Sequence, residues 1–91
     1  MNHAIVLIEA ERGAMPELGG ALADVEGVAE AWSVTGDWDY AAMLRVRSPE
    51  EIATVVTGRL AQLPGIRRTH TMFAFEVFSK HDLEALFSIG N

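Results

Sequence analysis

The sequence has 91 residues, a length typical of one domain, and its lack of cysteine excludes disulfides and thiolate metal sites. Seven basic against thirteen acidic residues give a formal charge of −6, which argues against direct binding to nucleic acid. No apolar run approaches the roughly 20 residues of a membrane span, and the start lacks the basic region of a signal peptide. We therefore expect a cytoplasmic protein that does not contact a membrane.

The first half of the chain predicts a strand, a helix and a second strand. The first strand is expected at about Ala4–Ala10, with Ile5, Val6, Leu7 and Ile8 at its centre. The helix is expected at about Met15–Val25, with Leu18, Leu22 and Val25 on one stripe. The second strand is predicted at Val28–Thr35.

The second half predicts the same order of elements. A third strand is expected at Tyr40–Arg47 and a last strand at Ile66–Phe78. Between them Ser48, Pro49 and Glu51 have the types and spacing of a helix start, with an N-cap serine, a first-turn proline and a glutamate at N3. The apolar stripe of this second helix comprises Ile52, Val55, Val56, Leu60 and Leu63.

A short internal repeat relates the two halves. Residues 22–28 and 60–66 share the pattern L-A-x-[V/L]-x-G-[V/I], 38 residues apart. In each copy an amphipathic stretch ends at a glycine, Gly27 or Gly65, which adopts the left-handed conformation at little cost after a helix. We expect residues 1–80 to form one domain and residues 81–91 to form an amphipathic tail, centred on His81–Ile89.

The order βαββαβ predicts a ferredoxin-like α+β fold, with a four-stranded antiparallel sheet and two helices on one face. Such a two-layer domain leaves the other sheet face uncovered. Both alternating sets of the first and last strands are apolar, whereas a sheet with one wet face alternates cleanly. We therefore predict that the chain dimerises through its sheet, in the manner of a dimeric α+β barrel.

Two segments carry the residue types of a ligand site. Residues 35–40, T-G-D-W-D-Y, form either a plain hairpin turn or a cradle in which Gly36 admits a ligand to the backbone and Asp37 or Asp39 accepts from an ammonium. Thr69 and Thr71 lie two apart, so their hydroxyls share one strand face, although strand packing alone also explains them.

Catalytic and metal motifs are missing from the sequence. The histidines at positions 3, 70 and 81 lack the i, i+4 spacing of a helical metal site. There is no nucleophile elbow and no glycine-rich phosphate loop. We expect no metal, no cofactor and no enzymatic activity.

Residues 34–40, the strand that follows, L-P-G-I at 63–66 and T-H-T at 69–71 together resemble the effector domain of the Lrp/AsnC regulators, also called the RAM domain. The resemblance covers nearly the whole chain. It implies dimerisation through the sheets, further assembly, and an amino-acid effector bound in a cleft between dimers. By position the implied ligand-binding residues are Gly36, Asp37, Asp39, Tyr40, Thr69 and Thr71.

Full regulators of this family carry an N-terminal helix-turn-helix domain, whereas this sequence starts at the first strand. We therefore interpret it as a stand-alone sensor module, without DNA binding of its own, that acts through assembly, including with a full-length relative. One alternative is a small dimeric α+β-barrel enzyme, similar to monooxygenases, that acts on an aromatic substrate; its pocket between helices and sheet would need His70 or Trp32. Another is a purely structural oligomerisation partner.

Overall fold

A four-stranded antiparallel sheet in the order β2-β3-β1-β4 organises the computed structural model, which describes residues 1–78. Two helices cover one face, so the predicted ferredoxin-like α+β fold is confirmed. The second helix continues from α2 through a π-helical segment at Thr54–Arg59 and a 3₁₀ turn at Leu60–Gln62. The elements are β1 (Asn2–Ala10), α1 (Met15–Ala23), β2 (Val28–Ser33), β3 (Tyr40–Val46), α2 (Pro49–Ala53) and β4 (Ile66–Ala74).

β2 and β4 end earlier than the sequence predicts, because a strand ends where its residues no longer pair with a neighbouring strand. β4 stops at Ala74 and not at Phe78, since Ala74 pairs with His3 at the beginning of β1 and the following residues find no partner on that strand. β2 likewise ends at Ser33, whose partner is the first residue of β3. The predicted tail at His81–Ile89 lies outside the described residues.

The predicted start of the second helix is confirmed. The Ser48 side chain accepts a hydrogen bond from the Glu51 backbone N–H at 3.3 Å, and Pro49 occupies the first turn. Farther along, the Leu60 N–H donates to the Val55 carbonyl, five residues back, which is the spacing of a π-helix.

Both repeat glycines are required by the backbone and by packing. Gly27 has φ +101° and Gly65 has φ +97°, the left-handed region that side chains disfavour. A Cβ at Gly27 would lie 2.6 Å from Cγ2 of Val55, and one at Gly65 would lie 2.7 Å from Cβ of Ala14. The repeated sequence therefore encodes the same tight helix-to-strand junction twice.

The hydrophobic core lies between the sheet and the helices. Alternate residues of β1 and β3 face this side, which we call the closed face, and are almost completely buried. Tyr40 is part of this core rather than of the surface. The buried cluster comprises Ala4, Val6, Ile8, Leu18, Leu22, Tyr40, Ala42, Leu44, Val46, Ile52, Val55 and Leu60.

The opposite side of the sheet, here called the open face, has an apolar centre that the described chain leaves uncovered. Ile5 pairs with Met43 on one side and with Met72 on the other, so these three residues form one row across the sheet. Trp32 and Met72 are 40% and 41% exposed. Among residues 1–78, no helix combines the length and the apolar character needed to cross a membrane.

Candidate functional site

The loop between β2 and β3 is docked onto the end of β1 by Asp39. The Asp39 backbone N–H donates to the Ile8 carbonyl at 2.9 Å, and its carboxylate Oδ2 accepts from the Ala10 N–H at 2.7 Å. The Asp39 carbonyl accepts from the Val34 N–H at 3.0 Å and closes the loop on itself. The first two bonds attach the loop to the end of β1, and the third closes the loop.

Trp38, the preceding loop residue, reaches β4. The guanidinium carbon of Arg68 lies 4.5 Å from the centroid of the Trp38 ring, a cation–π distance. The His70 ring lies 6.1 Å from the Trp38 ring, centroid to centroid, at an interplanar angle of 41°. Arg68 and His70 are two residues apart and share the open face, so Trp38 covers the open face at this end of the sheet.

Glu9 completes this arrangement from β1. Its carboxylate lies 3.3 Å from Nε of Arg68 and 3.4 Å from Nε of Arg67. The Glu9 side chain is 24% exposed, whereas Arg68 and Arg67 are 58% and 73% exposed. We call Glu9, Trp38, Arg68 and His70 the Trp38 cluster.

The structure brings the predicted hairpin and the predicted threonines to one end of the sheet. Ile8 pairs with Tyr40 on one side and with Thr69 on the other, so Tyr40 and Thr69 lie in one row, two strands apart. Thr71 lies one row farther, opposite Val6. Both threonines are on the helix side of β4 and are exposed, because the helices do not extend over this edge strand.

Two of the six predicted ligand-binding residues already have partners inside the fold. The Tyr40 hydroxyl donates to the Met15 carbonyl at 2.6 Å, and its ring is buried. The Asp39 carboxylate binds the end of β1, as described above. These contacts explain both residues as structural elements of the loop and of the core, and a ligand role for them stays a prediction.

Gly36 and Asp37 are the predicted loop residues that remain available at the surface. Gly36 has φ +105°, and a Cβ built there meets no atom within 4 Å. Its glycine is therefore required by backbone conformation and leaves the loop open on that side. Asp37 is exposed. Whether Gly36, Asp37, Thr69 and Thr71 bind a ligand stays a prediction.

The Trp38 cluster is not predicted by the sequence. From the sequence alone, Trp38 is expected to flank a turn, and Arg67 and Arg68 are expected to be solvated charges or partners for the acidic surface; the pairing of both arginines with Glu9 agrees with the second expectation. Glu9 and Arg68 lie 59 residues apart, and only the β1–β4 register places them opposite each other. The one signal in the sequence was the alternation of Arg68 and His70 on a single strand face.

The candidates of the alternative enzyme lie on the wrong side of the sheet. Trp32 pairs with Ala41 and His70 pairs with Leu7, so both occupy the open face and neither faces a pocket between helices and sheet. Within residues 1–78, no group of three His, Asp or Glu side chains is placed to hold a metal ion.

Two surface grooves of the described residues are lined by residues outside the β2–β3 loop. One, of about 220 Å³, is found between α1 and the turn before β4, and the other, of about 240 Å³, lies where β1 begins and β4 ends. The first is lined by Ala14, Glu17, Leu18, Ala21, Pro64 and Gly65.

Comparison with known proteins identifies the relatives of this fold. The family model described as the Lrp/AsnC ligand binding domain matches residues 3–83. The HTH-type transcriptional regulator FL11 of Pyrococcus abyssi is 29% identical over 73 residues, which are 80% of this chain and 48% of FL11. The chain thus spans about half the length of the curated regulator it matches.

Solved structures agree with this result. TTHA0845 from Thermus thermophilus is 39% identical, with a TM-score of 0.81 over 88% of this chain and 100% of that one. The transcriptional regulator NMB0573 of Neisseria meningitidis, solved as its L-Met complex, has a TM-score of 0.76 at 14% identity, over 86% of this chain and 52% of that one. At that identity the second similarity shows the fold alone.

Proposed function

The chain belongs to the Lrp/AsnC ligand-binding domain family, and on that premise we propose that it is a sensor module that binds an amino acid at the hairpin end of its sheet. The observation that supports the proposal is the attachment of the β2–β3 loop, which carries Gly36 and Asp37, to the end of β1 by Asp39, at the end of the sheet where Thr69 also lies. The L-Met complex of NMB0573 supports an amino acid as the class of effector.

The chemistry of an amino-acid zwitterion fits this surface. The ammonium group requires an anionic acceptor, and Asp37 provides an exposed one. The polar groups of the loop backbone and the hydroxyls of Thr69 and Thr71 supply further hydrogen bonds. Asp39 acts mainly as a positioning residue, because its carboxylate already accepts from the Ala10 N–H.

The same proposal includes assembly. The apolar centre of the open face, around Ile5, Met43 and Met72, is suited to pack on the sheet of a second copy, as in a dimeric α+β barrel. The hairpin surface lies open in one chain, and a second dimer packed against it would close the cleft. We also propose a full-length regulator as a partner, since the curated relative contains, beside the matched region, about as much chain again.

We propose a cytoplasmic, non-enzymatic module that controls transcription or metabolism through assembly. The net charge of −6 opposes direct binding to nucleic acid, so control would pass through a partner that binds DNA. The relatives being transcriptional regulators supports this direction.

Thermal-shift screening of the purified chain with the twenty standard L-amino acids tests the proposal. An amino acid present at 100 times its Kd should stabilise the native state by about 2.7 kcal/mol. Calorimetry should then show that Asp37→Asn weakens binding of that amino acid about tenfold, as expected for a lost charge-assisted hydrogen bond.

Asp24→Asn is the matched control, because Asp24 is also an exposed aspartate but lies at the end of α1. It should leave the affinity unchanged. Stabilisation by none of the twenty amino acids would favour the structural oligomerisation partner instead. Equal affinities of the two variants would place the ammonium elsewhere.

A further inference from the structure

We propose that Arg68, on the open face beside the hairpin loop, binds the carboxylate of the amino acid; this assignment rests on the proposed function and leaves Thr69 and Thr71, on the helix side of β4, out of that contact. Every ionisable side chain in the residue set predicted from the sequence is acidic or a tyrosine. A zwitterion, however, brings a carboxylate as well as an ammonium, and a carboxylate removed from water requires a strong donor. Arg68 is a cation that contacts the loop directly, through Trp38.

The guanidinium of Arg68 is held on two sides. Its Cζ lies over the Trp38 ring, 4.5 Å from the ring centroid, and its Nε donates to the Glu9 carboxylate at 3.3 Å. A guanidinium has five N–H donors, so these two contacts leave the four terminal N–H donors for a bidentate carboxylate. At 58% exposure the side chain remains accessible from solvent.

These contacts reduce the cost of binding. A free arginine side chain loses rotamer freedom when it is fixed by a ligand, about 0.5–1.5 kcal/mol for a side chain of this kind. Glu9 and Trp38 already restrict Arg68 in the structure, so less of this freedom is lost on binding. Since Trp38 lies in the chain between Asp37 and Asp39, the cation is held against the loop that carries the proposed ammonium acceptor.

The neighbouring Arg67 provides an internal comparison. It also pairs with Glu9, at 3.4 Å, and carries the same charge, but it is 73% exposed, and within residues 1–78 its guanidinium makes no cation–π contact. A nonspecific attraction between the ligand carboxylate and local positive charge would involve both arginines equally. In a specific carboxylate site, the ligand contacts Arg68 and does not contact Arg67.

Arg68→Gln and Arg67→Gln, compared in the full chain, test the assignment. The probes are the standard L-amino acid that most stabilises the wild-type protein and the carboxamide of that amino acid, which keeps the ammonium and lacks the negative charge. Wild-type protein should bind the acid at least tenfold more tightly than the carboxamide. Arg68→Gln should lose about tenfold or more in affinity for the acid and little for the carboxamide, whereas Arg67→Gln should keep the wild-type discrimination.

Each outcome decides one question. If no amino acid stabilises the wild-type protein, the proposed function fails and this assignment fails with it. If an amino acid binds and Arg68→Gln discriminates between acid and carboxamide as strongly as the wild type, the function stands and the assignment to Arg68 is wrong. The same discrimination together with a changed sedimentation coefficient would make Arg68 an interface residue instead.

Arg68→Lys serves where Arg68→Gln does not fold. Lysine keeps the charge and a pair with Glu9 but offers a point charge in place of the planar fork. It should bind the acid several-fold more weakly than the wild type while the carboxamide affinity is unchanged. Acid affinity and discrimination equal to those of the wild type would show that the bidentate geometry of Arg68 is not used, and would overturn the assignment.

Discussion

The closed and open faces of the sheet belong to the same strands but are completed in different ways. In β3, Leu44 is fully buried against the helices, whereas its neighbour Met43 lies on the open face and is only half-buried. In β1, Val6 is fully buried, while Leu7 on the other face is not. The described chain therefore buries the closed face by itself, whereas the open face has the composition of a protein–protein interface.

The largest expected effect is the loss of the dimer when a charge enters the open face. Met72→Glu should abolish the dimer at micromolar concentrations, because burying an unpaired carboxylate costs on the order of several kcal/mol. Thr71→Glu, one residue away on the helix side of β4, should leave the dimer intact. Sedimentation velocity of both variants decides the matter, and a stable Met72→Glu dimer would mean that the open face is not the interface.

A smaller effect is expected from truncation in the core, and it should not depend on assembly. Leu44→Ala should lower the free energy of unfolding by about 2–5 kcal/mol at every protein concentration, since Leu44 is fully buried. Met43→Ala should cost less, with a cost that grows when the protein is concentrated enough to dimerise. Urea unfolding at two protein concentrations measures both losses of unfolding free energy. The same concentration dependence in the two variants would contradict the distinction between the faces.

The smallest expected effect concerns one hydrogen bond on the closed face. Tyr40→Phe removes the hydroxyl that donates to the Met15 carbonyl at 2.6 Å and should destabilise the fold by about 0.5–1.5 kcal/mol. Because this contact is structural, amino-acid affinity should stay within a factor of two of the wild type in calorimetry. A strong loss of affinity in a fully folded Tyr40→Phe variant would instead support the sequence-based assignment of Tyr40 to the ligand site.

Several features of the fold were predictable because they depend on neighbouring residues. Ser48 caps the second helix as its spacing to Pro49 and Glu51 predicts. Gly27 and Gly65 adopt the left-handed conformation in the turns that follow the helices, although α1 ends at Ala23 and the second helix at Gln62, before these glycines. The element order, and with it the ferredoxin-like topology, followed from these local signals and from the periodicity of apolar residues. The premature end of β4 at Ala74 was missed, because Phe75–Phe78 have the composition of a strand and lack only a partner on β1.

In the candidate site, too, features set by adjacent residues were predictable and features set by distant contacts were not. Gly36 and Asp37 were found from turn chemistry, which is encoded in a few adjacent residues. The inward direction of the Tyr40 side chain could not be predicted in this way, because it depends on which strand face the helices cover. The sequence offered Tyr40 as one more polar group beside the turn, while in the fold its ring belongs to the core.

What the sequence by itself determined is the set of elements, their order, the glycine junctions and a loop with the residue types of a ligand site. Only the tertiary structure decided that Trp38 meets Arg68 and that Glu9 fixes the same guanidinium. The physical reason is the range of the interactions. Caps, turns and periodicity act over a few residues, whereas a contact between residues 9, 38 and 68 exists only after the strand register and the docking of Asp39 on β1 have brought three distant segments together.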